Sequence, residues 1–315
     1  MAVFSLFFME PVKDILIKEN QSVKDLVSQF SHSGGFTAKM FADGVEIFRN
    51  MVKDKDCTKF FSFPACICAT GTRGVIRDMV KNKMVDVIIT TCGTMDHDMA
   101  RLWKSYYEGS FDVDDRELHK KGINRLGNVF VPNDSYGIIL ETKCKEVLEK
   151  LYAKRKEWNT RDLVWAFGEA IKDEKGAQDT ICYWAWKNQI PVFIPGPTDG
   201  SWGSQMWMFW QNHKDFKINL FEDEHALSDI VYDAKKTGAL MLGGGISKHH
   251  VIWWNQFRDG LNYAIQISTA PEWDGSLSGA KVHEAISWGK VREDAKHVTI
   301  PGDATILLPL LYASV

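Results

Sequence analysis

Short apolar runs that end in glycine-bearing turns and then give way to helical periodicity recur along this chain. That alternation restricts it to few architectures. Val85 to Thr91 reads as a strand ending in Cys92-Gly93-Thr94, with a helix from about Met95 towards Tyr106. Just before it, Phe63 to Ala69 reads as a strand that meets Thr70-Gly71-Thr72-Arg73-Gly74 and a helix through Val75, Ile76, Met79 and Val80. Two strand–turn–helix units in so short a stretch call for parallel β-α-β connections rather than hairpins. Residues 190–194, 238–242 and 263–268 add further buried strands, and 304–308 a last element. The polar middle, 109–174, carries two helical patterns, 143–154 and 163–172. The expected fold class is α/β, a doubly wound, mostly parallel sheet. Residues 1–60 form a helical N-terminal extension and 61–315 the main domain.

The 315 residues suffice for one large domain or two small ones. Hydrophobic content of 45% with 25% charged residues describes a globular chain rather than a disordered one. A net charge of -3 gives no general reason to expect nucleic acid or an anionic membrane as partner. None of the six cysteines forms a Cys-x-x-Cys pair. Cys66 and Cys68, on the expected strand, would share one face and provide too few ligands for a metal, so none is expected. Free thiols fit a reducing compartment. The apolar stretch Met1 to Met9 is short, lacks a basic leader and runs into Glu10 and Pro11. No apolar run approaches the about 20 residues that span a bilayer. A cytoplasmic protein is expected.

In an open parallel sheet, ligands bind beyond the carboxyl ends of the strands. The expected strands end in Thr70/Gly71, Thr91/Cys92/Gly93, Asp199/Gly200/Ser201, Gly243/Gly244/Gly245 and Thr269/Ala270. Glycines there let backbone amides approach a phosphate, and a following helix offers its positive end. A dinucleotide would fit such a floor. The triple glycine is not Gly-x-Gly-x-x-Gly, so a purely structural turn is the competing reading. His249 and His250 open the next helix, where one can face the strand ends as a proton relay or cap the helix. Asp199, Asp274, Glu284 and Asp303 supply carboxylates that bind a ligand or cap helices. Of twelve tryptophans, Trp202, Trp253, Trp273 and Trp288 flank polar turns and offer faces for a cation. Ser287-Trp288-Gly289-Lys290 places an amine beside an indole, and a desolvated lysine is a nucleophile for carbon electrophiles.

Gly-Gly-Gly-x-x-Lys-His-His, Thr-Ala-x-Glu-x-Asp-Gly-Ser-x-Ser-Gly-Ala and Glu-Ala-x-Ser-Trp-Gly-Lys occur here in order, preceded by Pro-Thr-Asp-Gly-Ser and Gly34-Gly35-Phe36-Thr37-Ala38-Lys39. This combination resembles the deoxyhypusine synthases over nearly the whole chain. The resemblance implies a Rossmann-like NAD-binding catalytic domain over 61–315. It also implies NAD-dependent transfer of an aminobutyl group from spermidine, through an imine on a lysine, to a lysine of the hypusine-containing translation initiation factor. By that resemblance Lys290 forms the imine and His249 is the pocket histidine, while Trp288 and Glu284 line the amine channel. Asp199, Ser201, Gly243, Gly244, Thr269, Ala270, Asp274, Gly275, Ser278 and Asp303 match cofactor-contacting positions. Thr91, Gly245 and Gly302 complete the expected cofactor set. Homotetramers built from dimers, with active sites at subunit interfaces, are implied as well.

The chain departs from the family where substrate is held. Ser204 and Leu277 stand where the family places acids that anchor the polyamine, and Trp253 replaces a pocket asparagine. His97 replaces a cofactor-side glutamate and Pro271 a glutamine. Each lost charge-assisted bond is worth roughly 1.5–3 kcal/mol, so spermidine is expected to be a poorer donor here. Two rivals follow. One is an enzyme of the same chemistry acting on putrescine or agmatine, in the manner of homospermidine formation; the other is a non-catalytic paralogue that regulates assembly.

Overall fold

The computed structural model describes residues 10–315. The expectation on Met1 to Met9 lies outside the described residues. At the centre is a six-stranded sheet in the order Val291–Pro301, Leu261–Ser268, Lys236–Leu242, Cys57–Phe63, Val87–Thr90, Val192–Phe193. Every pairing in it is parallel. Successive side chains point to opposite faces, so each strand feeds two cores. Phe61, Phe63, Ile88, Leu240, Leu242 and Ile265 face Phe48, Met51, Met79 and Leu308. Phe60, Ile89, Ala239, Met241 and Ala264 face Leu227, Val231, Val251 and Ile252. Both faces are covered by helices, which makes the chain a doubly wound α/β protein. Among the described residues no helix is long and apolar enough to cross a membrane.

Helices Val23–Phe30 and Phe36–Lys53 come first. The second buries Phe41, Val45, Phe48 and Met51 against the sheet. It runs directly into the first core strand at Cys57, which crosses position 60.

One local reading needs correction and two are completed. The strand expected over 63–69 lies earlier, at Cys57–Phe63, and Ala65–Ala69 is a 3-10 turn. Pro64 lacks the amide that a central strand would donate, so pairing stops there. Cys66 is therefore exposed while Cys68 is buried, and the two thiols do not share a face. The element at 304–308 belongs to a helix, Ala304–Ser314, capped by Asp303, whose side chain accepts from Thr305 N at 2.8 Å. The middle stretch carries the helices Gly137–Lys154 and Thr160–Ala170. It also holds a small antiparallel sheet, Tyr107–Glu108, Val129–Pro132 and Ile123–Leu126, which its polar composition concealed.

Candidate active site

The Lys236–Leu242 strand ends in the triple glycine, and Gly243 and Gly245 take φ of +64° and +65°. Only residues without a Cβ enter that region freely. Gly244 is needed for a different reason: a Cβ there would lie 2.3 Å from Ser278 Cα and 2.4 Å from Ser278 N. The glycine turn thus lets the chain around Ser278 press onto it. From the next strand, Gln266 Nε2 donates to Gly243 O and Ser278 O, and Ser268 Oγ donates to Ser278 O at 2.7 Å. Gln266 and Ser268 were not singled out in the sequence; their signal was polarity inside a buried strand.

Above this floor lies a cleft of about 650 Å³ lined by Gly243, Thr269, Ala270, Asp274, Ser278, Gly302 and Asp303. Seven residues expected to touch a cofactor therefore converge. Gly302 is held by its amide on Ser268 O. Asp274 accepts from Ser276 N and Oγ, and Asp303 caps its helix, so both carboxylates also have structural partners. Gly244, Gly245 and Gly275 shape the turns without lining the cleft. Thr91 lies outside it as well, its hydroxyl accepting from Ala65 N at 3.0 Å. Asp199 and Ser201 stand at the start of the Ser201–Asn212 helix, also outside the cleft lining. That helix start is fixed by buried Asp96, which accepts from Ser201 N at 2.8 Å, Trp202 N at 2.6 Å and Tyr136 OH at 2.6 Å. Burial pushes the Asp96 carboxyl above the usual range, opposed by these three bonds. Its neighbour His97 meets Tyr106 OH at 3.0 Å, and burial, with Arg101 nearby, lowers its imidazole to about 4.

Beside the cleft a second cavity, about 310 Å³, is lined by Lys248, His249, Trp253, Leu277, Glu284, Trp288 and Lys290 among others. His249 and Trp253, one helical turn apart on Gly245–Asn255, stack at 5.8 Å between ring centroids. Opposite them, the 3-10 stretch Val282–Trp288 closes on Gly289 at φ +67°. Lys290 follows, its backbone pinned by Lys290 N on Ala285 O and Leu261 N on Lys290 O. The residue is 7% exposed, and Nζ stands 5.0 Å from the Trp288 ring centroid and 5.7 Å from that of Trp253. Among the described residues no carboxylate pairs with Lys290, and Nζ has no hydrogen-bond partner. Lys290 comes off the N-terminal end of the Val291–Pro301 strand, not the carboxyl end that the strand-end rule favours.

The neighbouring Lys248 differs. It is 2% exposed, and its Nζ donates to Leu277 O at 2.8 Å and Ala280 O at 2.5 Å. Burial pushes this amine down to about 8 against the raising effect of Glu284, yet both carbonyls tie it in place. Its placement was legible in the helix period, since it precedes buried Val251 and Ile252 by three and four. His249 is lowered by burial and by Lys290. His250 points elsewhere, 3.1 Å from Glu224. Ser204 does not join the pocket of its own chain: it is exposed, with Oγ donating to Gly200 O at 3.0 Å. Trp202 is fully buried against Phe167 and cannot serve as a ligand face.

Fold and cavities together define a class: open parallel α/β proteins with a cleft at the strand ends and a lysine-bearing pocket alongside. The sequence profile described as deoxyhypusine synthase matches residues 25–315. A Picrophilus torridus protein named "Probable deoxyhypusine synthase" is 60% identical over 304 residues, 96% of each chain. A Thermoplasma acidophilum protein of the same name is 59% identical over 303 residues, again 96% of each. A crystal structure from Entamoeba histolytica, provisionally named a deoxyhypusine synthase, shares the fold with a TM-score of 0.65 at 19% identity, over 94% of this chain and 93% of that one. The chain belongs to the deoxyhypusine synthase family.

Proposed function

We propose that the chain is an NAD-dependent transferase that moves an aminobutyl group from spermidine, through an imine on Lys290, to a lysine of the hypusine-containing translation factor. The observation that carries this reading is Lys290. The residue is buried, and its unbonded amine faces two indoles in a cavity that also holds Glu284 and His249. The cleft fits the cofactor. Its volume lies within the roughly 300–1,000 Å³ of small-molecule sites, and its floor is a glycine turn opening a helix. A Cβ on Gly243, which lines the cleft, would meet only Pro64, at 3.8 Å, so backbone there is open to close approach. When bound, NAD supplies the hydride acceptor.

The chain's own residues do the rest. Glu284 attracts the ammonium end of the donor, and Trp253 and Trp288 offer π faces to its cationic part. His249, lowered and therefore neutral at pH 7, accepts and returns a proton at its imidazole. Lys290 Nζ attacks the oxidised carbon: the bond to Lys290 forms, the bond to diaminopropane breaks, and diaminopropane leaves with the proton. The acceptor lysine then displaces Lys290, restoring the free amine, and the hydride taken from the donor returns to the C=N carbon of the product, so that the transfer is redox-neutral overall. Assembly as a cytoplasmic homotetramer of dimers belongs to the same proposal. It is supported by the exposed aromatics Trp207, Trp210 and Phe221 on one face of the molecule.

One observation favours a variant of this reading. Leu277 lines the amine pocket where the family places an acid, leaving Glu284 as its one lining carboxylate beside Lys248, Lys281 and Lys290. A smaller or less charged donor, such as putrescine or agmatine, suits that balance. Incubating the purified protein with NAD and spermidine, putrescine or agmatine, then identifying products by mass spectrometry, tests both. Diaminopropane released from spermidine only when NAD is present supports the first reading. A product from another amine alone supports the variant, and no NAD-dependent product from any amine refutes both.

A further inference from the structure

The cleft and the amine pocket share a wall. Leu277 lines the pocket, while its chain neighbour Ser278 lines the cleft, together with Asp274 and Ser276. This turn has no slack. The peptide between Leu277 and Ser278 presses on Gly244, where a Cβ would lie 2.7 Å from Leu277 C and 2.3 Å from Ser278 Cα. A Cβ on Gly279 would lie 2.0 Å from Pro271 O. On the cleft side Gln266 and Ser268 hold Ser278 O; on the pocket side Lys248 holds Leu277 O and Ala280 O. Closely packed elements move as units, so a ligand that shifts one side of such a wall shifts the other.

We propose that Lys248 is a positioning residue that couples the two sites: by clamping the Leu277–Ala280 turn it makes NAD binding and amine binding favour one another. The proposal rests on the function proposed above. Lys248 has no part in the bond-making steps, because its amine is committed to two carbonyls while Lys290 is not. The clamp is specific to a long cationic donor. Both accepting carbonyls are main-chain atoms three residues apart, and a shorter side chain on the same helical position would not span them.

The test is linkage. The NAD dissociation constant is measured with and without saturating spermidine for the full-length wild type, Lys248→Met and Lys248→Arg. Putrescine replaces spermidine if it proves the better donor. Wild type is expected to bind NAD at least about fivefold tighter with amine present, at the lower end of ordinary coupling. Lys248→Met, which keeps length and loses the donors, should reduce that ratio below about twofold, and Lys248→Arg should restore part of it. A purely structural lysine would lower stability and leave the ratio unchanged, and that result overturns the proposal. Should Lys248→Met not fold, hydrogen exchange across 276–281 in the wild type decides. Each ligand alone is expected to slow it, and protection by only one overturns the coupling. Wild-type protein that binds both ligands independently refutes this proposal alone; protein that binds neither refutes the proposed function with it.

Discussion

Alanine at Gly244 and at Gly245 should cost similar stability for opposite reasons, and only one should disturb the cofactor cleft. Gly244 sits at φ -161°, outside the left-handed region, so the obstacle to alanine there is contact. Its Cβ would lie 2.3 Å from Ser278 Cα and 2.4 Å from Ser278 N, where ordinary contact begins at 3.4 Å. The obstacle is backbone, so the whole turn carrying Leu277 and Ser278 has to retreat. Overpacking of this kind costs about 1–3 kcal/mol. Gly245 presents the reverse case: its Cβ would meet nothing within 4 Å, but φ is +65°. Alanine there pays the left-handed penalty, about 1–2 kcal/mol, and moves no neighbour. Both variants should therefore lose comparable stability by chemical denaturation. NAD titration separates them. Gly244→Ala should raise the dissociation constant about tenfold or more, the equivalent of about 1.4 kcal/mol, and Gly245→Ala by less than about twofold. A folded Gly244→Ala protein with wild-type NAD affinity would show that the position of Ser278 does not matter to the cofactor.

His97 should make stability fall in mild acid. Its folded-state imidazole titrates near 4 rather than 6.5, so stability is complete above about pH 6.5 and is lost as pH falls towards 4. Between pH 7 and pH 4 wild type should lose about 3 kcal/mol more than His97→Gln by denaturant unfolding, and equal losses would remove His97 from the account. Leu277→Asp should lower the spermidine KM relative to putrescine, roughly tenfold for a charge-assisted bond of about 1.5–3 kcal/mol, as steady-state kinetics with both donors would reveal. Asp96→Asn turns one of two carboxylate oxygens, which together accept from three donors at the start of the Ser201–Asn212 helix, into an amide donor. It should destabilise the fold by about 1–3 kcal/mol, and an unchanged denaturation midpoint would contradict that role.

The core strands that end in glycine turns were legible because they are buried on both faces and read as continuous apolar runs. The Val291–Pro301 strand was not. Among the described residues it pairs only with Leu261–Ser268 at the sheet edge, and its run of Arg292, Glu293, Asp294, Lys296 and His297 hides the strand pattern. Phe63 to Ala69 misled for the opposite reason: a buried 3-10 turn is as apolar as a strand, and Pro64 was the only sign of the boundary. At the candidate site, residue types gave Lys290 and the glycine turn, and the family resemblance chose His249 over His250 and placed Glu284 in the pocket. They could not give partners. That Lys248 grips two carbonyls, that Asp96 caps a helix a hundred positions on, and that Ser204 faces solvent all depend on tertiary contacts without a local period.

Lys290 carries the account, and chemical trapping tests it directly. Borohydride added to the full-length protein with NAD and its preferred amine should fix an adduct of aminobutyl mass on the peptide bearing Lys290. Lys290→Arg should abolish it while leaving NAD affinity within about twofold, because charge survives and the reachable nucleophile does not. An adduct on Lys248, or none on Lys290 in protein that turns over, would contradict the proposed chemistry.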